Sequence, residues 1–396
     1  MADQVLAAVR TSPGVTELQE LPVPHVPDDA ALLRVEVAGI CGTDVKMYGK
    51  PPFTEPVIMG HENVGVVEQA GTAWLERQGL AEGDRIFVEH YIGCFRCRWC
   101  HAGEYRHCEA TDWRTNPDAR RYGYTPMSNP GTLWGGFAQY MYLPWNAVVH
   151  RVPEGVSAEL ASVVTPLSNG IEWALNAGGV GVGSTVLIQG PGQQGLSQVV
   201  AATQAGASQV IVTGTTRDAT RMQLATDLGA HHTIDVQTED ALARVMEITG
   251  GTGVEVVLDC TAGAGTAPIL LGVDALVRRE GVMVTQGEVA QFPDFPLKKM
   301  AEKAATIRSA RGHGYRAVEL ALQTLASHRF PLERLGTHSF GLSDVDLAIR
   351  TMAGQAGEDA IHVSLLPWVQ GTGSALGHTA HQDDRPDDRR HDGVPA

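Results

Sequence analysis

The chain has 396 residues, of which 43% are hydrophobic, and it carries a formal net charge of −15. This length predicts two or three domains, each able to bury a core. The acidic balance argues against a protein that binds nucleic acid or an anionic membrane, because such surfaces need clustered lysine and arginine.

The N-terminal segment reads MADQVLAAVR, in which Asp3 comes too early for the apolar region of a signal peptide. The sequence contains no run of about 18 apolar residues that would predict a membrane-spanning helix. We therefore expect a cytoplasmic protein with reduced thiols, in which clustered cysteines are more often metal ligands than disulfides.

The first two stretches of the chain have different patterns. Residues 1 to about 150 contain short β-branched runs, such as 32–37 and 63–68, which predict an irregular, mostly β domain. From about 167 to 304, buried strand-like runs alternate with helical patterns, which predicts a doubly wound parallel sheet. The predicted strands are Thr185–Gln189, Gln209–Thr213, Val254–Cys260 and Gly281–Thr285, and the predicted helices are Gln194–Ala205, Asp218–Leu228 and Asp240–Thr249.

Helical patterns dominate from about 305 to 367. Residues 315–327 predict an amphipathic helix, Ser343 is the expected N-cap of a second helix, and 360–365 predict a closing strand. The segment 368–396 is rich in Gly, His and Asp with almost no large apolar residues, so we expect disorder there.

Four cysteines lie within fifteen residues, spaced C-x2-C-x2-C-x7-C: Cys94, Cys97, Cys100 and Cys108. Four thiolates this close can surround one zinc ion, and a closed set of this kind predicts a structural site. An iron–sulfur centre is the alternative, but the x7 gap does not match the common ferredoxin spacings. Two disulfides are a further alternative, but they would require export of the protein. His101 or His107 could each replace one cysteine as a zinc ligand.

The strand predicted over 185–189 leads into G-P-G-Q-Q-G and then a helical pattern. In this context Gly190 permits a tight turn, Gly192 lets the backbone approach a pyrophosphate, and Gly195 lets helix and strand pack closely. Gln193 and Gln194 then open the helix whose N-terminus would face the phosphates. The loop therefore predicts dinucleotide binding.

The end of the next predicted strand carries Thr216 and Arg217 where an NAD-binding protein would place an acid. An arginine at this position can pair with a 2′-phosphate, which favours NADP over NAD. The alternative is that Arg217 lies on a solvated turn and that Asp218 is only a helix N-cap.

These motifs occur in one order: G-I-C-G-T-D around Cys41, G-H-E around His61, the four cysteines, G-G-F-A-Q-Y at 135–140 and the dinucleotide loop. Over residues 1 to about 367 this order resembles the medium-chain, zinc-containing alcohol dehydrogenases, including the sorbitol and threonine dehydrogenases. The resemblance implies an α/β protein in which a GroES-like catalytic domain (1–166 and 305–367) contains an inserted Rossmann domain (167–304). It also implies a homodimer or homotetramer that acts on a small alcohol or carbonyl compound.

The same resemblance implies a second, catalytic zinc with Cys41 and His61 as ligands. The family's third ligand would precede a Pro-Leu pair, but this chain has Thr165 there, and threonine is a poor zinc ligand. Glu62 is the expected substitute, although water could take the third position. Alternatively, Glu62 only orients the ligands.

By resemblance, Thr43 binds the substrate oxygen and begins a proton relay, while Asn169 lies near the nicotinamide. Many relatives carry histidine where this chain has Lys46, which could relay a proton only with a lowered pKa or through water. A zinc-free quinone or enoyl reductase and a non-catalytic nicotinamide-binding sensor are the alternatives. Thr165 and Lys46 favour the sensor, whereas the cysteines and His61 argue against the zinc-free reductase.

A loop between Cys108 and Gly135 carries four aromatic residues: Trp113, Tyr122, Tyr124 and Trp134. Aromatic side chains near an active site can line an apolar pocket, which favours a bulky or cyclic secondary alcohol as substrate. The alternative is that these side chains pack against the segment around the four cysteines or in a subunit interface.

Overall fold

The structure is a computed structural model that describes residues 3–51, 54–112, 114–116, 118–286, 289, 291–356 and 359–369. Trp113 and residues 370–396 of the segment predicted to be disordered (368–396) lie outside these residues. Trp368 is ordered, because its Nε1 donates to the Val35 carbonyl at 2.9 Å. Within them, no helix combines the length and the apolar character needed to cross a bilayer.

The first part of the chain is mostly β, as predicted. Its strands are β1 (Gln4–Ser12), β2 (Val15–Pro22), β3 (Ala31–Ile40), β4 (Val57–Ile58), β5 (Glu62–Ala70), β6 (Arg85–Ile92), β7 (Tyr140–Leu143) and β8 (Ala147–Arg151). Its helices are α1 (Gly42–Gly49), α2 (Thr72–Gln78), α3 (Arg98–His101) and α4 (Ala158–Ala161). Strands β3 and β5 contain the two β-branched runs and pair antiparallel, with Gly39 opposite Glu62.

The second part alternates strands and helices. Its strands are β9 (Thr185–Gln189), β10 (Gln209–Gly214), β11 (His232–Asp235), β12 (Val256–Asp259), β13 (Val282–Thr285) and β14 (Thr306–Ser309). Its helices are α5 (Val164–Ile171), α6 (Gln193–Gln204), α7 (Ala219–Asp227), α8 (Ala241–Ile248), α9 (Ala267–Ala275) and α10 (Leu297–Lys303). The strands form one sheet in the order β11-β10-β9-β12-β13-β14, and each of its ladders is parallel. The predicted doubly wound sheet is confirmed.

Strand β14 extends this sheet beyond residue 304, where the parallel part was predicted to end. Its sequence, Thr-Ile-Arg-Ser, exposes Thr306, Arg308 and Ser309 at the edge of the sheet. Because only Ile307 is apolar, no hydrophobic run marks this strand in the sequence. The predicted boundary is therefore too early.

The chain then returns to the first part through α11 (Tyr315–Ala326), β15 (Gly336–Phe340), α12 (Val345–Met352) and β16 (His362–Leu365). Strand β16 pairs antiparallel with β3 and parallel with β15, so it completes a seven-stranded sheet. The prediction of Ser343 as an N-cap is wrong. A 3-10 turn over Leu342–Asp344 precedes α12, so the helix starts later and Asp344 occupies the N-cap.

Helix α5 joins the two parts. Gly170 lies so close to α6 that an added Cβ would be 2.6 Å from the backbone carbon of Ser197. One core cluster contains Val37 and Val64 of the first sheet as well as Val186 of the second. The two sheets therefore share a continuous core, and the carboxyl ends of the parallel strands lie beside the β part.

Candidate functional site

The four predicted cysteines meet in one lobe. The Sγ atoms of Cys94, Cys97, Cys100 and Cys108 all lie within 4.8 Å of one another. The chain reverses direction at Phe95, whose φ of 51° lies in the left-handed region that non-glycine residues rarely adopt. This turn brings Cys94 back towards the other three thiols.

One thiol of the lobe, that of Cys94, ionises more easily than the others. Burial raises the pKa of Cys94, but the backbone N–H groups of Arg96 and Cys97 and the neighbouring thiols outweigh burial and lower that pKa to about 7. Burial raises the pKa of Cys100 to about 12. A cluster that holds one easily ionised thiol among three others fits a cation that binds four thiolates.

Hydrogen bonds attach the lobe to the segment after β14 and to the residues that follow α5. Arg106 Nη1 donates to the Gly312 carbonyl at 3.1 Å, and Trp173 Nε1 donates to the same carbonyl at 3.0 Å. Arg106 Nη2 also donates to Glu172 at 2.7 Å, and the Tyr315 N–H donates to the Gly103 carbonyl at 3.0 Å. The segment after β14 therefore packs directly against the lobe.

A second cluster forms from Cys41, His61 and Glu62, whose potential ligand atoms lie within 4.8 Å of one another. Cys41 follows β3 as the N-cap of α1, and Glu62 begins the neighbouring strand β5. Cys41 Sγ lies 3.0 Å from His61 Nε2, and all three side chains are buried. The β3–β5 register thus brings together residues that the sequence placed in separate motifs.

Asp44 orients this cluster, a role that the sequence analysis did not identify. Its Oδ2 accepts a hydrogen bond from the Cys41 N–H at 3.0 Å, and its Oδ1 lies 3.3 Å from His61 Nδ1. Burial alone would lower the pKa of His61, but the charges of Asp44 and Cys41 raise it well above its ordinary value. A carboxylate at Nδ1 leaves Nε2 facing Cys41, as in carboxylate–histidine–metal arrangements.

Glu62 shows that this cluster fits a cation. Its side chain is 1% exposed, burial raises its pKa to about 8, and its Oε2 has no hydrogen-bond partner. A buried carboxylate oxygen without a donor is costly, and a metal ion would satisfy it. Sulfur, imidazole and carboxylate are all zinc ligands. Thr165 is buried on α5 and offers only a hydroxyl.

Two rings face the cluster. The rings of His90 and Tyr124 lie 5.2 Å and 5.8 Å from the His61 ring, and burial lowers the pKa of His90 well below its ordinary value. Tyr122 and Trp134, by contrast, are fully buried core residues. Their polar atoms bind the carbonyls of Tyr142 and Pro130. Of the three described aromatics in this loop, only Tyr124 therefore matches the predicted position beside the site.

Helix α1 carries the two expected relay residues. The Thr43 N–H donates to Cys41 Sγ at 3.2 Å. Lys46 lies three residues further, so it shares a helix face with Thr43. Partial burial lowers the pKa of Lys46. Both residues therefore lie on α1, the helix whose N-cap is Cys41.

The glycine loop has the predicted geometry. Gly190 has a φ of 92°, and a Cβ on Gly195 would lie 2.0 Å from the Gly190 carbonyl oxygen. Gly192 is the N-cap of α6 and has open space beside it. The Gln193 side chain faces away from this space, because its Oε1 lies 2.7 Å from Nδ1 of the buried His362. Gln194 follows in the first turn of α6.

The end of β10 carries no acidic residue, but Asp235, at the end of the neighbouring strand β11, lies beside it. The Thr216 hydroxyl donates to Asp235 Oδ2 at 2.6 Å, and Arg217 is exposed. Asp218 accepts hydrogen bonds from the N–H and hydroxyl of Thr215, and it occupies the N-cap position of α7 without a side-chain hydrogen bond to that helix. Arg217 is thus available to a ligand on this turn.

Asp44 had a sequence signal: an acid three residues after Cys41 fits a capping box. His90 and His362 had none, because their positions depend on β6 and β16 reaching the site from distant parts of the chain.

Comparison with known proteins adds independent findings. A family model described as the alcohol dehydrogenase GroES-like domain matches residues 27–154, and one described as zinc-binding dehydrogenase matches 195–327. A protein of Mycobacterium tuberculosis named as a probable alcohol dehydrogenase is 36% identical over 369 residues, covering 92% of this chain and 98% of that protein.

A sorbitol dehydrogenase of Halalkalibacterium halodurans is 30% identical, over 91% of this chain and 99% of its own length. The crystal structure of a zinc-binding dehydrogenase from Sinorhizobium meliloti, bound to NADP, superposes with a TM-score of 0.79. It is 26% identical and covers 92% of this chain and all of its own chain.

Proposed function

This chain belongs to the zinc-containing medium-chain alcohol dehydrogenase family and is an alcohol dehydrogenase, and we propose that Cys41, His61 and Glu62 hold its catalytic zinc. The observation that carries this proposal is the buried, unpartnered Oε2 of Glu62 beside a thiol and an imidazole. The alternative, in which Glu62 only orients other ligands, would leave that oxygen without a partner.

We propose a second, structural zinc on Cys94, Cys97, Cys100 and Cys108. Its support is a closed set of four thiols that leaves no position for substrate. Elemental analysis of protein purified without added metal tests both sites, with two zinc ions per chain expected. One zinc would mean that only the lobe is filled, and would favour a zinc-free reductase or a sensor.

When bound, zinc supplies a Lewis acid that makes an alcohol oxygen easier to deprotonate, and nicotinamide accepts the hydride. Asp44 holds the proton on His61 Nδ1, so that Nε2 faces the metal position. We propose that the Thr43 hydroxyl accepts the proton of the substrate hydroxyl and passes its own proton on. Lys46, whose pKa burial lowers, accepts that proton as the free amine and releases it towards solvent.

We propose that the dinucleotide lies on the glycine loop, along Gly190, Gly192, Gln193, Gln194 and Gly195, and that NADP is preferred. Arg217 is exposed at the turn where a 2′-phosphate would lie, and the Sinorhizobium meliloti relative binds NADP. The contact between Asp235 and Thr216 favours NAD instead, because it places an acidic residue beside this turn.

An Arg217→Ala variant tests the cofactor preference. Loss of a charge-assisted contact should raise the KM for NADP about tenfold and leave that for NAD unchanged. Equal changes for both cofactors would place Arg217 away from the ribose.

We propose a secondary alcohol as substrate. The support is the relative named sorbitol dehydrogenase, together with the His90 and Tyr124 rings beside the metal position. A panel of matched primary, open-chain secondary and cyclic secondary alcohols tests it through kcat/KM. Preference for primary alcohols would overturn the proposal, and preference for open-chain polyols would exclude a cyclic substrate.

We also propose a cytoplasmic homodimer or homotetramer. Strand β14 ends the parallel sheet with an exposed edge, which a second copy could extend. Light scattering after size-exclusion chromatography tests the oligomer, and a monomer at micromolar concentration would contradict it.

A further inference from the structure

A buried carboxylate lies at the centre of a polar chain that the catalytic scheme does not use. Glu89 on β6 is 1% exposed. The Tyr105 hydroxyl donates to its Oε1, and His150 Nε2 lies 2.9 Å from the same oxygen. His313 Nε2 lies 3.2 Å from the other oxygen, Oε2. One carboxylate therefore contacts two imidazoles and a phenol inside the molecule.

The chain continues from both imidazoles. On one side, His313 Nδ1 lies 2.9 Å from Asn169 Oδ1. On the other side, His150 Nδ1 contacts Glu319, whose side chain is 43% exposed. The polar contacts thus lead from Asn169 in the interior to solvent at Glu319.

The electrostatics of the chain favour ionised groups. Burial raises the pKa of Glu89, but hydrogen bonds and charges from His150 and His313 outweigh it and leave the pKa below its ordinary value. Burial lowers the pKa of His150, but Glu319 and Glu89 outweigh it and raise that pKa. Tyr315, whose ring lies 4.3 Å from that of His150, is a further titratable group packed here.

Asn169 and His313 lie where a dinucleotide would end. His313 follows β14 at the carboxyl edge of the parallel sheet, the edge at which such folds bind ligands. Asn169 precedes Gly170, which packs against Ser197 near the start of α6. The hydroxyl of Ser197 donates to the Gln193 carbonyl at 2.7 Å, so this contact lies one turn from the glycine loop.

We propose that Glu89 and His313 are positioning residues that fix the Asn169 amide so that its NH2 group is presented to the nicotinamide carboxamide. The Glu89 carboxylate lies beside Nε2 of His313 and fixes the orientation of the ring, so that Nδ1 of the same ring donates to Asn169 Oδ1. The amide oxygen then faces His313 and its nitrogen faces the cofactor. This inference rests on the proposed function, because a nicotinamide must bind at this edge.

A matched pair of variants tests the inference in the zinc-loaded protein: Glu89→Gln at the centre of the chain and Glu319→Gln at its exposed end. Fluorescence titration and calorimetry give dissociation constants for NADPH and NADH. The same measurements are made for 2′-phospho-ADP-ribose and ADP-ribose, which lack nicotinamide. Glu89→Gln should weaken binding of the preferred dinucleotide about tenfold and leave its nicotinamide-free counterpart unchanged. Glu319→Gln should change neither the dissociation constant of the dinucleotide nor that of its nicotinamide-free counterpart.

A second variant keeps the test decisive if Glu89→Gln does not fold. His313→Gln should give the same nicotinamide-specific loss, and the double variant with Asn169→Ala should bind no worse than Asn169→Ala alone. Equal weakening of dinucleotide and ADP-ribose ligands, additive losses, or no loss would overturn the positioning role. A parent protein that binds neither dinucleotide would overturn the proposed function as well.

Discussion

The two candidate metal sites are assembled in different ways. The lobe takes four identical ligands from fifteen consecutive residues, and Cys94 and Cys97 are only partly buried. The second site takes three different donors from the ends of two strands, and all of them are buried. The lobe depends on a local turn, whereas the second site depends on the β3–β5 register. A closed site of that kind suits structure, and a mixed one suits chemistry.

The largest expected effect tests the structural half of this comparison. A Cys100→Ser variant should lose one zinc per chain and much of its stability, because structural zinc contributes on the order of 10 kcal/mol to the folding of small metal domains. Metal content and thermal unfolding measure both losses. Cys260→Ser, which changes a cysteine outside both clusters, should keep two zinc ions. A Cys100→Ser protein with two zinc ions and an unchanged Tm would contradict the structural role.

The next effect tests the catalytic half. A Glu62→Gln variant should lose zinc affinity by more than about 100-fold, the upper range for groups that only orient ligands, while its Tm stays near that of the parent. Competitive titration with a chelator measures the affinity, and kcat should fall with occupancy. Glu68→Gln on the same strand is the control and should retain both the zinc affinity and the kcat of the parent. Full affinity in Glu62→Gln would leave the third position to water.

A smaller effect separates ligands from the group that orients them. Asp44→Asn keeps Cys41, His61 and Glu62 but weakens the hold on His61 Nδ1. Zinc affinity should fall about 10-fold to 100-fold, and raised zinc should restore activity. Asp240→Asn, at an N-cap remote from both sites, should have no effect. A loss that added zinc does not reverse would mean that Asp44 has a role beyond orienting His61.

The smallest effect concerns the attachment of the lobe, which His150 supports through Glu89 and Tyr105. The pKa of His150 is raised above its ordinary value of 6.5, so the folded state binds this proton more tightly than the unfolded state. The stabilisation is complete below pH 6.5 and is lost as the pH rises through the raised pKa, by at most about 1.4 kcal/mol per pH unit.

Urea unfolding of the parent and of His150→Gln measures this difference. The gap in unfolding free energy should be largest in mild acid and should close at alkaline pH. A constant gap would show that the charge of His150 is not involved.

The parts of the fold and site that sequence predicts are those with local signals. The glycine loop, the cysteine lobe and the strands β9, β10, β12 and β13 have short motifs or apolar runs, so their geometry follows from neighbouring residues. Strand β14 was missed because its residues are exposed, and Ser343 was wrongly chosen as an N-cap because a 3-10 turn precedes α12.

The polar chain around Glu89 could not be predicted. Its members come from β6, β8, the 3-10 turn at Tyr105 and the segment after β14, and only long-range packing brings them together. The ligand roles of Cys41, His61, Glu62 and the four lobe cysteines, and the relay roles of Thr43 and Lys46, stay predictions.

The return of β16 to β3 has a consequence for biosynthesis. The ribosome releases strands β3 and β5, with Cys41 after one and Glu62 in the other, early, but their sheet is complete only when β16 emerges. The parallel sheet, by contrast, can close as soon as Ser309 is available. Because distant pairings form late, the nucleotide half should mature on the nascent chain before the sheet around the proposed metal centre is complete.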